Sequence, residues 1–207
     1  ELVVEYSPKI AGGLYKYENF GGSSYRSREM GEAIGKIEKV MLLRQVKAIN
    51  STNLPLIYKD MRPKKMIWLD IGMVNEANNT YQEMIKGIYQ GKIMEQIVGQ
   101  TLIAGDARRQ MKLGYWARNR DEGSAEVDFC FQYEDCVVGM EVKSGSVREM
   151  KSLFSMLKKG GGKVIPIRVS WDELGVENYQ YNNKKYKILS LPFYLLERWD
   201  EFLDSFR

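Results

Sequence analysis

The chain has 207 residues, with 31 Lys+Arg, 27 Asp+Glu, two cysteines and no histidine. That length allows one large domain or two small ones around a real core, and 44% hydrophobic with 28% charged residues describes a globular protein, not a disordered tail. The missing imidazole excludes Ser-His-Asp triads, Cys-His pairs and the common zinc sites, so any catalysis must run on carboxylates, Lys, Tyr, Ser or a metal held by oxygen.

Cys130 and Cys136 make neither a disulfide framework nor a CxxC site, which points to a reducing, cytoplasmic setting. No apolar run approaches the ~18 residues of a membrane span, and no signal peptide is visible at the start. Glu1 in place of Met fits a processed chain or one cut from something longer. Charge is uneven. Residues 1–120 carry 19 Lys+Arg against 12 Asp+Glu, and residues 121–207 carry 12 against 15. A basic first part can attract a polyanion such as DNA; the plainer alternative is a solvated surface with chance asymmetry.

The first 25 residues are rich in Gly, Tyr and Ser and predict irregular structure. A helix is expected from Ser27 to Leu43, with Met30, Ala33, Ile34, Ile37, Val40 and Met41 at spacings of three and four. Leu43 to Asn50 leads into an extended piece. Pro55–Tyr58 and Lys65–Leu69 predict strands around the polar turn Lys59–Lys64. A helix followed by a hairpin with a basic tip is the order of a winged helix, which would place Arg62, Lys64 and Lys65 for contact with nucleic-acid phosphates. The alternative is a structural hairpin packed on a neighbouring domain. Asp70-Ile71-Gly72 ends this part, and Asn75–Asn79 predicts a loop.

Helices are expected from Thr80 to Tyr89 and from Gly91 to Ala104, the second carrying Glu95 as its single carboxylate. Strands then alternate with helices: strands Gly114–Ala117, Ala125–Gln132 and Cys136–Lys143, a helix Val147–Lys159 stopped by Gly160-Gly161-Gly162, and a strand Lys163–Ser170. A hairpin around Tyr181–Lys184 and a final helix Tyr194–Phe206 close the chain.

The chemistry concentrates in Ala125-Glu126-Val127-Asp128-Phe129 and Gly139-Met140-Glu141-Val142-Lys143. Alternation puts Glu126 with Asp128, and Glu141 with Lys143, on one face of their strands. Two adjacent antiparallel strands can therefore bring Asp128, Glu141 and Lys143 side by side. Paired carboxylates repel unless a cation lies between them, and Mg²⁺ or Mn²⁺ accepts such a pair with several waters. A nearby lysine can stabilise charge on a phosphate. The competing reading is an ordinary surface ion pair between Asp128 and Lys143. Trp116, beside Tyr115, is expected in the core, and Cys130 as an inert buried thiol.

This D…ExK arrangement resembles the PD-(D/E)xK nuclease superfamily, whose core order of helix, strands, helix and strand the elements from Gly91 onward follow. A narrower resemblance rests on Tyr17-Glu18-Asn19, Ser27-Arg28-Glu29, Ile37-Glu38-Lys39, Pro63-Lys64-Lys65, Leu69-Asp70-Ile71-Gly72, Gly91-Lys92-Ile93-Met94-Glu95, Tyr115-Trp116, Glu126-Val127-Asp128-Phe129 and Glu141-Val142-Lys143-Ser144-Gly145. It looks like the C-terminal region of bacterial and archaeal AAA+-type ATPases that carry a nuclease-like domain of unknown function.

The resemblance implies an α/β chain with a winged-helix-like region at 1–75 and a PD-(D/E)xK-like mixed-sheet domain at 76–207. It also implies an ATPase domain upstream, and a DNA nuclease using Asp128, Glu141, Lys143 and Glu95, with Asp128, Glu141 and Glu95 holding Mg²⁺ or Mn²⁺. A nuclease-like module that only binds DNA or a partner is the alternative. No P-loop is expected, because the Gly-Lys pairs at Gly35, Gly91 and Gly162 are followed by Ile or Val rather than Ser or Thr.

Overall fold

The computed structural model describes residues 1–80, 87–109, 111–118, 125–145 and 150–203. It is a mixed α/β structure that divides into two compact units: Glu1–Lys47 with Lys59–Gln100, and Ala48–Tyr58 with Thr101–Arg207.

The first unit opens with a short helix, α1 (Leu2–Tyr6), and a 3-10 turn at Ser7–Ile10. A two-residue strand β1 (Leu14–Tyr15) follows. Helix α2 (Ser27–Lys39) starts with Glu29 in its first turn accepting the Arg26 backbone N–H at 2.9 Å. It buries Met30 and Ile34 as its apolar stripe demands. It stops at Lys39 rather than Leu43, because Met41 adopts a left-handed φ of 62° that turns the chain into the next strand.

That strand, β2 (Leu43–Ile49), pairs antiparallel with β3 (Lys64–Trp68), whose other edge carries β1. The expected strand at Pro55–Tyr58 is therefore irregular chain: β3 has both edges occupied and no ladder left to offer it. The expected loop at Asn75–Asn79 is also corrected. Asp70 caps a helix, α3 (Ile71–Ala77), accepting the N–H groups of Gly72 at 2.7 Å and Met73 at 3.4 Å. The core of this unit gathers Val3, Tyr15, Phe20, Met30, Ile34, Leu43, Met66, Trp68 and Val74.

Helix α4 spans Gly87–Arg109, longer at both ends than expected. Its residue Gln96 is fully buried and works as a strand substitute: its Oε1 accepts the Trp68 N–H at 3.0 Å and its Nε2 donates to the Trp68 carbonyl. Gln100 Oε1 accepts the Ile71 N–H at 3.1 Å. Residues 81–86 of the expected helix Thr80–Tyr89 lie outside the described residues.

The second unit holds a mixed sheet in the order β4-β5-β6-β7-β9-β8. Strands β4 (Gly114–Ala117), β5 (Glu126–Tyr133) and β6 (Cys136–Val142) are antiparallel neighbours. Strand β7 (Val164–Ser170) runs parallel to β6, and β9 (Lys184–Pro192) runs parallel to β7. Strand β8 (Gly175–Tyr181) forms the antiparallel hairpin with β9.

The crossover between β6 and β7 carries α5 (Lys151–Lys159), described from residue 150 onward. Leu153, Phe154 and Met156 of α5 pack with Val127, Cys130, Val137 and Ile188. Gly160–Gly162 does more than end α5. A Cβ on Gly162 would lie 2.0 Å from the Thr52 carbonyl oxygen, so the loop at Ser51–Asn53 packs directly on a backbone that must lack side chains. The closing segment Phe193–Phe202 is 3-10 in character and broken at Arg198 (φ −110°, ψ 22°), not the regular helix expected. Trp199 from this segment meets Phe131 edge-on at 4.9 Å.

Candidate functional site

The β5–β6 ladder pairs Phe129 with Met140, and one further step of that register would set Asp128 opposite Glu141. There the ladder gives way to a side-chain bond: Asp128 Oδ2 accepts the Val142 backbone N–H at 2.8 Å. Lys143 Nζ lies 2.9 Å from Glu141 Oε1. The glutamate side chain is 8% exposed and the lysine 23%. Asp128, Glu141 and Lys143 thus come together at one end of β5 and β6.

Simple alternation along β5 does not hold. The β4–β5 register slips by one residue between Gly114 and Trp116, so Val127 and Cys130, three positions apart, enter the same core cluster. A bulge of this kind re-aims side chains locally, and here it lies beside Asp128.

Adding a Cβ to Gly139 would bring it against Met156 of α5, so Glu141, two residues on, shares the α5 face of the sheet. On that face the ladder sets Arg168 of β7 beside Glu141, and Ser190 of β9 beside Arg168. A polar row therefore crosses the sheet near the C-terminal ends of parallel strands β6, β7 and β9, the end at which α/β sheets place their ligands.

Arg168 is 1% exposed. Its guanidinium donates to Glu177, to Ser190 Oγ at 3.0 Å and to the Tyr179 hydroxyl at 3.3 Å, and it pairs with Asp172 at 2.9 Å. Sequence reasoning passed over this residue. The signal was a single Arg inside the apolar run Val164–Ser170, since a buried cation must find anions, and Asp172 and Glu177 follow within nine positions.

The other expected site residues lie in the first unit. Glu95 Oε2 bonds Lys65 Nζ at 3.0 Å, and Lys65 is 1% exposed. Lys65 is thus a buried structural cation. Lys64 is buried as well, donating from Nζ to the Asp60 carbonyl at 2.9 Å, whereas Arg62 is half-buried beside the exposed Met61.

The donor set around Asp128 and Glu141 is oxygen only, as a hard cation requires. Among the described residues, no group of three or more His, Cys, Asp or Glu side chains gathers at one point. Two carboxylates plus water or substrate oxygens would have to complete an octahedral shell. Among the described residues, no helix is long and apolar enough to cross a membrane.

Residues 90–194 match a family model described as "Domain of unknown function (DUF4143)". No curated protein matches the chain. Among solved structures the chain is similar to protein VC1899 from Vibrio cholerae, at 12% identity and a TM-score of 0.37, over 88% of this chain and 43% of that one. The chain thus spans less than half the length of that protein.

Proposed function

From the premise that the chain belongs to the DUF4143 family, we propose that it is a metal-dependent DNA phosphodiesterase domain. On this reading the second unit is built around a PD-(D/E)xK nuclease-like core, the N-terminal region is winged-helix-like, and the full-length protein carries an ATPase elsewhere. The observation that supports it is the meeting of Asp128, Glu141 and Lys143 at the end of β5 and β6.

Asp128 and Glu141 would hold Mg²⁺ or Mn²⁺. Bound there, the ion would neutralise charge on a scissile phosphate and acidify a water. Lys143 is the more exposed partner of its ion pair and is the group able to turn to a phosphate oxygen. The β5 bulge and the Val142 N–H hold the Asp128 carboxylate in place. Arg62 is the remaining accessible cation of the three expected to meet DNA.

One observation favours a second reading, a nuclease-like module that binds without cutting: each carboxylate already has a partner within the fold, Val142 N–H for Asp128 and Lys143 for Glu141. Incubation of linear, circular and single-stranded DNA with the protein in Mg²⁺ or Mn²⁺ separates the two. The enzyme reading predicts cleavage that chelation and Lys143→Ala each abolish. Binding of DNA with no cleavage of any form would leave only the second reading.

A further inference from the structure

We propose that the first unit holds a separate site, a groove around Lys64 that takes the terminal phosphate of a small phosphate ester. The proposal goes beyond the carboxylate site, because it needs neither those carboxylates nor a metal. The groove has a volume of about 590 Å³ and is walled by Tyr17, Gln45, Lys47, Asp60, Arg62 and Lys64. That is within the size range of small-molecule sites and larger than a bare phosphate needs.

Its floor is rigid. The Tyr15 and Tyr17 hydroxyls donate to Gln45 Oε1 at 2.7 and 2.6 Å. Gln45 in turn gives both its backbone N–H, at 2.9 Å, and its Nε2, at 2.7 Å, to Glu38.

Of the three acids that line the groove, Glu18 is exposed, while Glu38 and Asp60 bond donors other than Lys64. Both Glu38 oxygens accept from Gln45, and the Asp60 carboxylate pairs with Lys47 at 2.5 Å. Lys64 is 8% exposed and is met by the Asp60 carbonyl at 2.9 Å and by the Tyr17 ring, 4.4 Å from its centroid. A carbonyl dipole and a ring face compensate a desolvated ammonium less well than an anion does. Burial holds the Lys64 ammonium below the usual lysine range, the nearby Asp60 charge offsets part of this, and Lys47 adds a smaller lowering. Lys47 and Arg62 on the same wall add donors of the type that grips phosphate oxygens.

The recess decides the form of the ligand. A terminal phosphate can reach down to Lys64, whereas an internal phosphodiester carries a sugar on both sides and is held at the rim. The terminal phosphate has two possible sources, a free ester such as a mononucleotide or the phosphorylated end of a nucleic acid.

Calorimetric titration tests this with inorganic phosphate, AMP, adenosine, and one short oligonucleotide with and without a 5′-phosphate. AMP and phosphate should bind and adenosine should not. The Lys64→Met variant should bind AMP at least about tenfold more weakly, the loss of a charge-assisted contact, with an unchanged circular dichroism spectrum. Binding of the phosphorylated oligonucleotide alongside AMP identifies nucleic-acid ends as a source; binding of AMP alone identifies a free ester. Equal binding of AMP and adenosine, absence of phosphate-dependent binding, or undiminished binding by Lys64→Met would overturn the proposal. Should Lys64→Met fail to fold, Arg62→Gln at the rim provides the second test, with the same loss expected in smaller measure.

Discussion

Asp128 Oδ2 accepts the backbone N–H of Val142 at 2.8 Å, so a candidate metal ligand also closes the ladder between β5 and β6. The two roles separate by substitution. Asp128→Asn keeps an acceptor for Val142 and should change stability by less than about 1 kcal/mol while removing metal-dependent activity. Asp128→Ala leaves the N–H without its acceptor and should cost about 1–3 kcal/mol. Urea unfolding of the two variants checks this, and equal stability would show that the hydrogen bond has no structural weight.

Lys65 and Glu95 give a second separable case. Lys65 is 1% exposed and its ammonium rests on Glu95 Oε2 at 3.0 Å. Glu95→Gln removes the carboxylate from this contact and should destabilise the protein by roughly 3 kcal/mol. Adding Lys65→Met should recover most of the loss, since an apolar chain of similar length suits the site. A Glu95→Gln protein as stable as the parent would contradict the pairing. If the rescued double variant also cleaves DNA normally, Glu95 has no part in the chemistry.

Packing makes a sharper demand at Gly162. Its Cβ would lie 2.0 Å from the Thr52 carbonyl oxygen, a backbone atom that cannot rotate away. Gly162→Ala should therefore lower stability by about 1–3 kcal/mol through overpacking. Gly175, where a Cβ meets nothing within 4 Å, is the control, and its alanine variant should stay near parental stability. Thermal unfolding that ranks the two in the opposite order would contradict the packing described.

Alkaline stability should carry the mark of Tyr58. Burial pushes its phenol up to about 12 from 10.0, with Cys130 contributing, and its hydroxyl donates to the Lys112 carbonyl. The folded value is the higher one, so the neutral phenol favours the native state. The stabilisation is complete below pH 10 and is lost as pH rises toward 12. The tyrosinate absorbance difference between the parent and Tyr58→Phe should show one phenol titrating near pH 12. A difference titrating near pH 10 would place Tyr58 in solvent.

Much of the second unit was legible in the sequence. The alternation in Glu126–Tyr133, the apolar run Val164–Ser170 and the turn at Asn182-Asn183 gave β5, β7 and the β8–β9 hairpin to within a residue or two. Such strands show locally because they are short runs rich in apolar, β-branched and aromatic residues bounded by turn residues. The first unit was harder. Leu43–Ile49, expected as a short extended piece, is the strand that pairs with β3, and Pro55–Tyr58, expected as its hairpin partner, is left outside the ladder. Pairing competition between distant segments leaves no local trace.

The same limit applied to the site. Asp128, Glu141 and Lys143 could be named from spacing, but the bulge beside Asp128 arises in the β4 pairing and has no signature in β5 itself. Lys64 and Lys65 looked like solvent-facing cations at a hairpin tip. Both are buried, Lys64 against the Tyr17 ring and the Asp60 carbonyl and Lys65 against Glu95 of α4.

The central claim is that the carboxylates of Asp128 and Glu141 hold a divalent cation. Calorimetric titration of the intact protein with Mn²⁺ tests it most directly, with Asp128→Asn and Glu141→Gln as comparisons. The account predicts saturable binding by the parent and its loss in each folded variant. Absence of Mn²⁺ binding by the parent, or binding that both variants retain, would contradict it.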